Sequence, residues 1–253
     1  LGKLSSLAYW DMKMSMPSKA TEQRANTLGF LSGEIFKMVT DDKVNEFIEF
    51  FAPIMNELEL VDRSMIKALK KNYDEIKNIP QDKFEEYTVA TSLGEAAWEE
   101  AKANKDFEIF KPKLEKIVSL LREFTEYYGY KENKYDALLN QFEEGLTVKK
   151  VDKLFNELKE GILNLLGRIK NSTKVVNSKL LEGKYPIEAQ KELSEYLLDV
   201  IKFDKEAGRL DETTHPFTLN MGNKDVRITT HYYEDNLLSN IFSIVHEGGH
   251  ALY

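Results

Sequence analysis

His246-Glu247-Gly248-Gly249-His250 sets two imidazoles four residues apart with a carboxylate next to the first. On a helix that spacing places both rings on one face, about 6 Å apart along the axis, so that a nitrogen of each can reach one ion. The chemistry suggested is metal-assisted hydrolysis. Zinc held at about 2.0–2.1 Å by two neutral imidazoles and a third protein ligand leaves a position for water, whose pKa it lowers to roughly 7. Glu247, about 100° around the helix from His246, can take that water's proton and deliver it to a leaving amine. A polar helix flank would carry the same residues without any function. Against that reading stand the paired glycines, each unfavourable within a helix by up to about 1 kcal/mol relative to alanine, which suggest a close approach by another backbone or a substrate at Gly248-Gly249.

All four histidines, His215, His231, His246 and His250, fall at or beyond position 215. Just before the paired imidazoles, Asp225, Arg227 and Thr229 recur at a spacing of two, which in a strand puts an acid, a base and a hydroxyl on one face and Val226 and Ile228 on the other. That trio suits the wall of a binding groove, although a solvated Asp225–Arg227 ion pair satisfies the same spacing. His215, followed by Pro216, reads equally as a loop histidine or a functional one. His231 reads as a surface residue at a strand end, and Trp10 and Trp98 as core residues.

The elements that must position these groups are mainly α-helical. From residue 1 to about 205 apolar residues recur at three and four, as in Leu28, Leu31, Ile35 and Met38, or Leu114, Ile117, Leu120, Leu121 and Phe124. Breaks at Pro17, Asp41-Asp42, Asn78-Ile79-Pro80, Asn104-Lys105-Asp106 and Gly129 predict seven to nine helices. Thr147 caps one running to about Lys170, and another covers Ile187 to Val200. The pattern changes at Gly208: residues 206–253 predict one small β-hairpin, turning at Asn220-Met221-Gly222-Asn223, and then a metal-binding helix. This helix is expected to start near Glu234-Asp235 and to carry Leu237, Leu238, Ile241, Phe242, Val245 and Leu252 as its apolar stripe, exposed from Leu237 to Val245 where downstream helices would cover it. A single, truncated domain over residues 1–253 is the expected organisation.

With 253 residues and 42% hydrophobic content the chain can bury a core without cross-links. It has no cysteine, which excludes disulfides, thiol catalysis and thiolate metal sites and leaves histidine and carboxylate as ligands. Thirty-five basic against 43 acidic side chains give a net charge of −8, which disfavours nucleic acid or an anionic membrane as partner. No window supplies the roughly 18 consecutive apolar residues of a spanning helix, and a cytoplasmic location is expected because nothing calls for oxidation. Leu1 opens directly into a periodic apolar pattern, so the true N-terminus is expected to lie upstream.

His215-Pro216-Phe217, Asp225-Val226-Arg227-Ile228-Thr229 and the His246–His250 motif, in this order, resemble the H-P-F, D-x-R-x-T and H-E-x-x-H motifs of the carboxypeptidase Taq family of thermostable zinc metallocarboxypeptidases. Trp10-Asp11, Met16-Pro17 and Arg24 are similar to that family's W-D, M-P and arginine. Tyr135-Asp136-Ala137-Leu138-Leu139 with Glu143, Gly145 and Thr147 is similar to its Y-D-A-L-L segment. The resemblance implies a helix-walled groove with a small β element near the metal, a homodimer, and release of C-terminal amino acids from peptides with broad specificity. It implies His246 and His250 as ligands of zinc, which cobalt can replace, Glu247 as the catalytic base, and His215, Asp225, Arg227 and Thr229 beside the substrate. It further implies that the third ligand, a glutamate, lies beyond Tyr253. The chain would then be an N-terminal half with no peptidase activity by itself. A thimet-type oligoendopeptidase, which also has H-E-x-x-H in a helical groove, and a non-catalytic helical interaction protein that retains the motif are the competing readings.

Overall fold

The computed structural model describes residues 1–174, 177 and 183–253. The chain divides into two compact units, one formed by Leu1–Arg24 with Val175–Tyr253 and the other by Ala25–Lys174.

The second unit is helical throughout its described residues. It holds most of α2 (Thr21–Val39), then α3 (Asp42–Phe51), α4 (Leu60–Ile76), α5 (Gln81–Asn104), α6 (Phe107–Tyr128), α7 (Lys134–Phe142) and α8 (Val148–Lys170). Side-chain caps set several of the starts. Asp41, Asp106, Asn133 and Thr147 each accept a hydrogen bond from a backbone N–H of the first turn they precede. Thr147 and Lys170 are the bounds expected for α8. The stretch between Asp41 and Pro80 divides where the sequence shows no break, because Pro53, which lacks an N–H, sits in a 3-10 turn (Ala52–Ile54). Nine α-helices result among the described residues up to about residue 205, within the expected seven to nine, and α10 follows as the expected final helix. Phe36, Ile79 and Phe124 form the buried centre, wrapped by Phe84, Tyr87, Tyr127 and Tyr128.

The Y-D-A-L-L segment has a local, architectural use in this unit. Asp136 accepts from the N–H of Val148 at 2.7 Å, joining α7 to the start of α8. Asn140 accepts from the N–H of Gly145 at 2.9 Å, and Gly145, with φ of +74°, makes the turn that a side chain would strain.

The first unit contains α1 (Gly2–Met14), α9 (Ile187–Val200), β1 (Gly208–Glu212), β2 (Thr218–Gly222), β3 (Asp225–Thr230) and α10 (Leu237–Leu252). The expected hairpin is present as β2 and β3, antiparallel with Thr218 opposite Ile228, and irregular between Asn220 and Gly222. Its turn falls at Asn223-Lys224, one to two residues later than predicted, with Lys224 at φ of +62°. The sheet also has a third strand. β1 lies parallel to β3, giving the order β1-β3-β2. Its sequence Gly-Arg-Leu-Asp-Glu shows no apolar alternation that would distinguish it from a loop.

α10 starts at Leu237, where the Asn236 side chain accepts from the N–H of Ser239, and not at Glu234-Asp235. Of the expected apolar stripe, Leu237, Leu238 and Ile241 are half-buried and the rest is uncovered. Asn240, Ile244, Glu247 and Gly248 are buried, whereas Phe242, Val245 and Leu252 are exposed. Ile244 joins Leu198, Phe203 and Ile228 in the core. Asn240 is accommodated because every polar edge finds a partner: its amide oxygen accepts from Ser194 and Thr230, and its amide nitrogen donates to the Gln190 carbonyl. Gln190 in turn donates to the carbonyls of Tyr185 and Tyr233. This buried polar cluster fixes α9, α10 and the end of β3 to one another.

Candidate metal centre

α10 rests on the sheet through its buried face and presents His246 and His250 outward. The two rings lie edge to face with centroids 4.7 Å apart, and their Nε2 atoms stand 3.2 Å from each other. Two donors bound at 2.0–2.1 Å to one tetrahedral ion lie about 3.3–3.4 Å apart, so the pair is spaced as two ligands of a single metal. Neutral imidazoles, with no thiolate available anywhere in the chain, suit zinc or another borderline divalent cation. Among the described residues no third histidine, aspartate or glutamate joins them in a metal-binding group.

Glu247 is 7% exposed, on the face of α10 turned toward β2. Its Oε2 accepts from the Thr218 hydroxyl at 2.7 Å, and the same hydroxyl lies 3.0 Å from the Glu247 carbonyl oxygen. Thr218 is the residue that reading the sequence missed; its place directly after His215-Pro216-Phe217 was the available signal. The paired glycines divide in their use. A Cβ on Gly248 would stand 2.3 Å from Ile201 Cδ1, whereas one on Gly249 would meet nothing within 4 Å. Gly248 therefore admits α9's end against α10, and the close approach is by a side chain.

Asp225, Arg227 and Thr229 alternate along β3 and differ in their partners. Arg227 donates from Nε and Nη2 to the two oxygens of Asp225 at 3.0 and 3.1 Å, and its guanidinium lies over the Trp10 ring, 5.1 Å from the centroid. The hydrogen bond from Arg227 holds the Asp225 carboxyl below its ordinary value of 3.8, with its charge and that of Arg209 adding to the effect. Thr229 is fully buried. Its hydroxyl meets the N–H of Phe217 and the Thr213 hydroxyl, both at 2.9 Å, and so holds the loop carrying His215, which is itself exposed. Phe217 packs edge-on against Tyr9 and Trp10, each at 5.9 Å. Asp11 and Ala8 of α1 take the Arg24 guanidinium, the ion pair at 2.5 Å and the carbonyl contact at 3.0 Å. The scattered W-D, arginine, H-P-F and D-x-R-x-T residues are thus one packed cluster. His231 is only partly exposed: its Nδ1 lies 2.8 Å from the Thr213 carbonyl and its ring packs on Tyr233.

Two convergent imidazoles and a buried glutamate share one helix backed by a small sheet, on a mainly helical fold, with the residue order H-E-x-x-H. The whole chain, residues 1–253, matches the family model described as carboxypeptidase Taq (M32) metallopeptidase, and the chain belongs to that family. It is 40% identical over 248 residues to carboxypeptidase 1 of Bacillus subtilis, covering 98% of this chain and 50% of that protein. It is 37% identical to thermostable carboxypeptidase 1 of Thermus thermophilus, covering 100% of this chain and 52% of that one. The BsuCP crystal structure superposes with a TM-score of 0.95 at 40% identity, and a Pyrococcus furiosus carboxypeptidase with 0.83 at 35%; they cover 99% and 100% of this chain and 50% and 51% of those chains. The chain spans about half the length of the curated relatives it matches. No helix among the described residues is long and apolar enough to cross a membrane.

Proposed function

We propose that this chain carries the imidazole pair and the catalytic carboxylate of a zinc-dependent carboxypeptidase that removes C-terminal residues from peptides with broad preference. The observation that carries the reading is the 3.2 Å approach of the His246 and His250 Nε2 atoms on the helix that also carries Glu247. His246 and His250 would hold the metal, which when bound acidifies a water and polarises the scissile carbonyl. Glu247 takes the water's proton on a carboxylate oxygen as the water's oxygen forms a bond to the carbonyl carbon. It then passes that proton to the departing nitrogen and returns to its ionised form. Arg227 and Asp225 belong to the wall beside this centre, and Thr229 and His215 to the loop that shapes it. Two imidazoles are half of a tetrahedral shell, so a third ligand outside the described residues completes the site, and the 253-residue chain alone lacks peptidase activity. The assembled enzyme is a cytoplasmic homodimer in this reading, with cobalt able to replace zinc.

The test uses the zinc-loaded full-length enzyme and one peptide with a free or an amidated C-terminus. Release of amino acids from the free form alone is expected, and equal internal cleavage of both would indicate an oligoendopeptidase. Glu247→Gln should keep the metal and lower kcat by about 10²–10⁴. Full activity in that variant would remove Glu247 from the mechanism.

A further inference from the structure

Glu247 is nearly enclosed, yet its carboxylate receives one hydrogen bond among the described residues, from Thr218 to Oε2 at 2.7 Å. A buried carboxylate with a single donor has one oxygen fixed and the other open to a further partner. Thr218 does more than fill that lone pair. Its hydroxyl sits between Oε2 and the main-chain oxygen of the same glutamate, 2.7 and 3.0 Å away, so it references the carboxylate to the helix backbone one residue past His246. The threonine itself is held by β2, whose partner β3 is the central strand. Its χ1 is further restricted by β-branching.

We propose that Thr218 is a positioning residue for Glu247: it pins Oε2 so that Oε1 is the oxygen that meets the attacking water, and thereby sets the turnover rate without contacting metal or substrate. This rests on the carboxypeptidase reading above. During the reaction Oε1 gains the water's proton and later yields it to the leaving nitrogen, while the bond from Thr218 to Oε2 is kept throughout. The hydroxyl is therefore needed for geometry at each proton transfer and is not consumed.

Thr218→Val removes the donor and nearly preserves the shape, whereas Thr218→Ser keeps the donor. In the zinc-loaded full-length enzyme Thr218→Val should lower kcat by about 10–100-fold, the range seen when a partner of a site residue is lost, with KM and zinc affinity within about threefold of wild type. Thr218→Ser should restore kcat to within about threefold. Crystal structures of both variants supply a readout independent of turnover: the Glu247 carboxylate should leave its place in the valine variant and keep it in the serine variant. The proposal is overturned if Thr218→Val retains wild-type kcat, if its Glu247 stays in place, or if serine fails to rescue while thermal stability falls in parallel. An inactive wild-type enzyme would instead remove the carboxypeptidase reading, and the carboxylate's position in the two variants would still decide the role of Thr218.

Discussion

The Nε2 atoms of His246 and His250 lie 3.2 Å apart, within about 0.2 Å of the separation that a tetrahedral ion imposes on two of its ligands. The helix thus holds the pair near its bound geometry, and little reorganisation remains for the metal to impose. Isothermal titration of the metal-free 253-residue chain should show weak zinc binding that His246→Ala or His250→Ala removes. The full-length enzyme should bind more than about 100-fold tighter, since losing a direct ligand exceeds the 10–100-fold effect of losing an outer partner. Tight one-to-one binding by the 253-residue chain would mean that a third ligand already lies within it.

The Arg227 clamp has two separable parts, the fork to Asp225 and the stacking on Trp10. Arg227→Lys keeps the charge and loses both the fork and the planar face, at an expected cost of about 0.5–1 kcal/mol in thermal unfolding. Because the folded-state pKa of Asp225 is depressed, its contribution is present above pH 3.8 and lost as pH falls through the folded value. The difference between wild type and Arg227→Lys should therefore narrow on acidification below pH 3.8. A difference that stays constant to pH 2 would assign the whole effect to Trp10.

Asn240 is the centre of the buried polar cluster, and removing it leaves the Gln190 carbonyl and the Ser194 and Thr230 hydroxyls each short of a partner. Asn240→Ala should destabilise by about 2–4 kcal/mol, read by urea unfolding. A loss below about 0.5 kcal/mol would show that solvent or local rearrangement satisfies those groups.

In the helical unit burial pushes the Tyr128 hydroxyl up to about 12, with Tyr87 and Glu75 adding to the shift. Here the folded state favours the neutral form, so the contribution is complete below pH 10 and is lost as pH rises toward 12. Tyr128→Phe should flatten the fall of melting temperature between pH 10 and 12. Identical slopes for the two proteins would show that Tyr128 ionises without penalty in the folded state.

What the sequence discloses follows how local each determinant is. The bounds of α8 and α9 and the convergence of His246 with His250 depend on residues within a turn or two of each other, and all match the structure. β1 escapes because its pairing with β3 joins segments with no shared pattern. The orientation of α10 escapes for a different reason. Polar Asn240 and Glu247 share the core-facing side with Ile244 while Phe242 and Val245 face outward, so a stripe drawn from hydrophobicity does not identify the buried polar residues. Their burial is supported by Ser194, Thr230 and Thr218, which lie 10 to 46 residues away. The Asp225-Arg227-Thr229 spacing was legible as a strand, but the central position of β3 in the sheet buries Thr229 and commits its hydroxyl to Phe217 and Thr213.

The docking of Trp10 beneath Arg227 and against Phe217 sets a timetable for synthesis. α1 leaves the ribosome more than two hundred residues before the loop and strand it packs on, and the whole of Ala25–Lys174 emerges in between. That middle unit can collapse on contacts it already possesses, whereas the nascent α1 must keep Trp10 without its native partners until Phe217 and Arg227 are made. A segment translated well before the middle unit is then among the last to reach its native place, and during that interval Trp10 is open to chaperones or to neighbouring nascent chains.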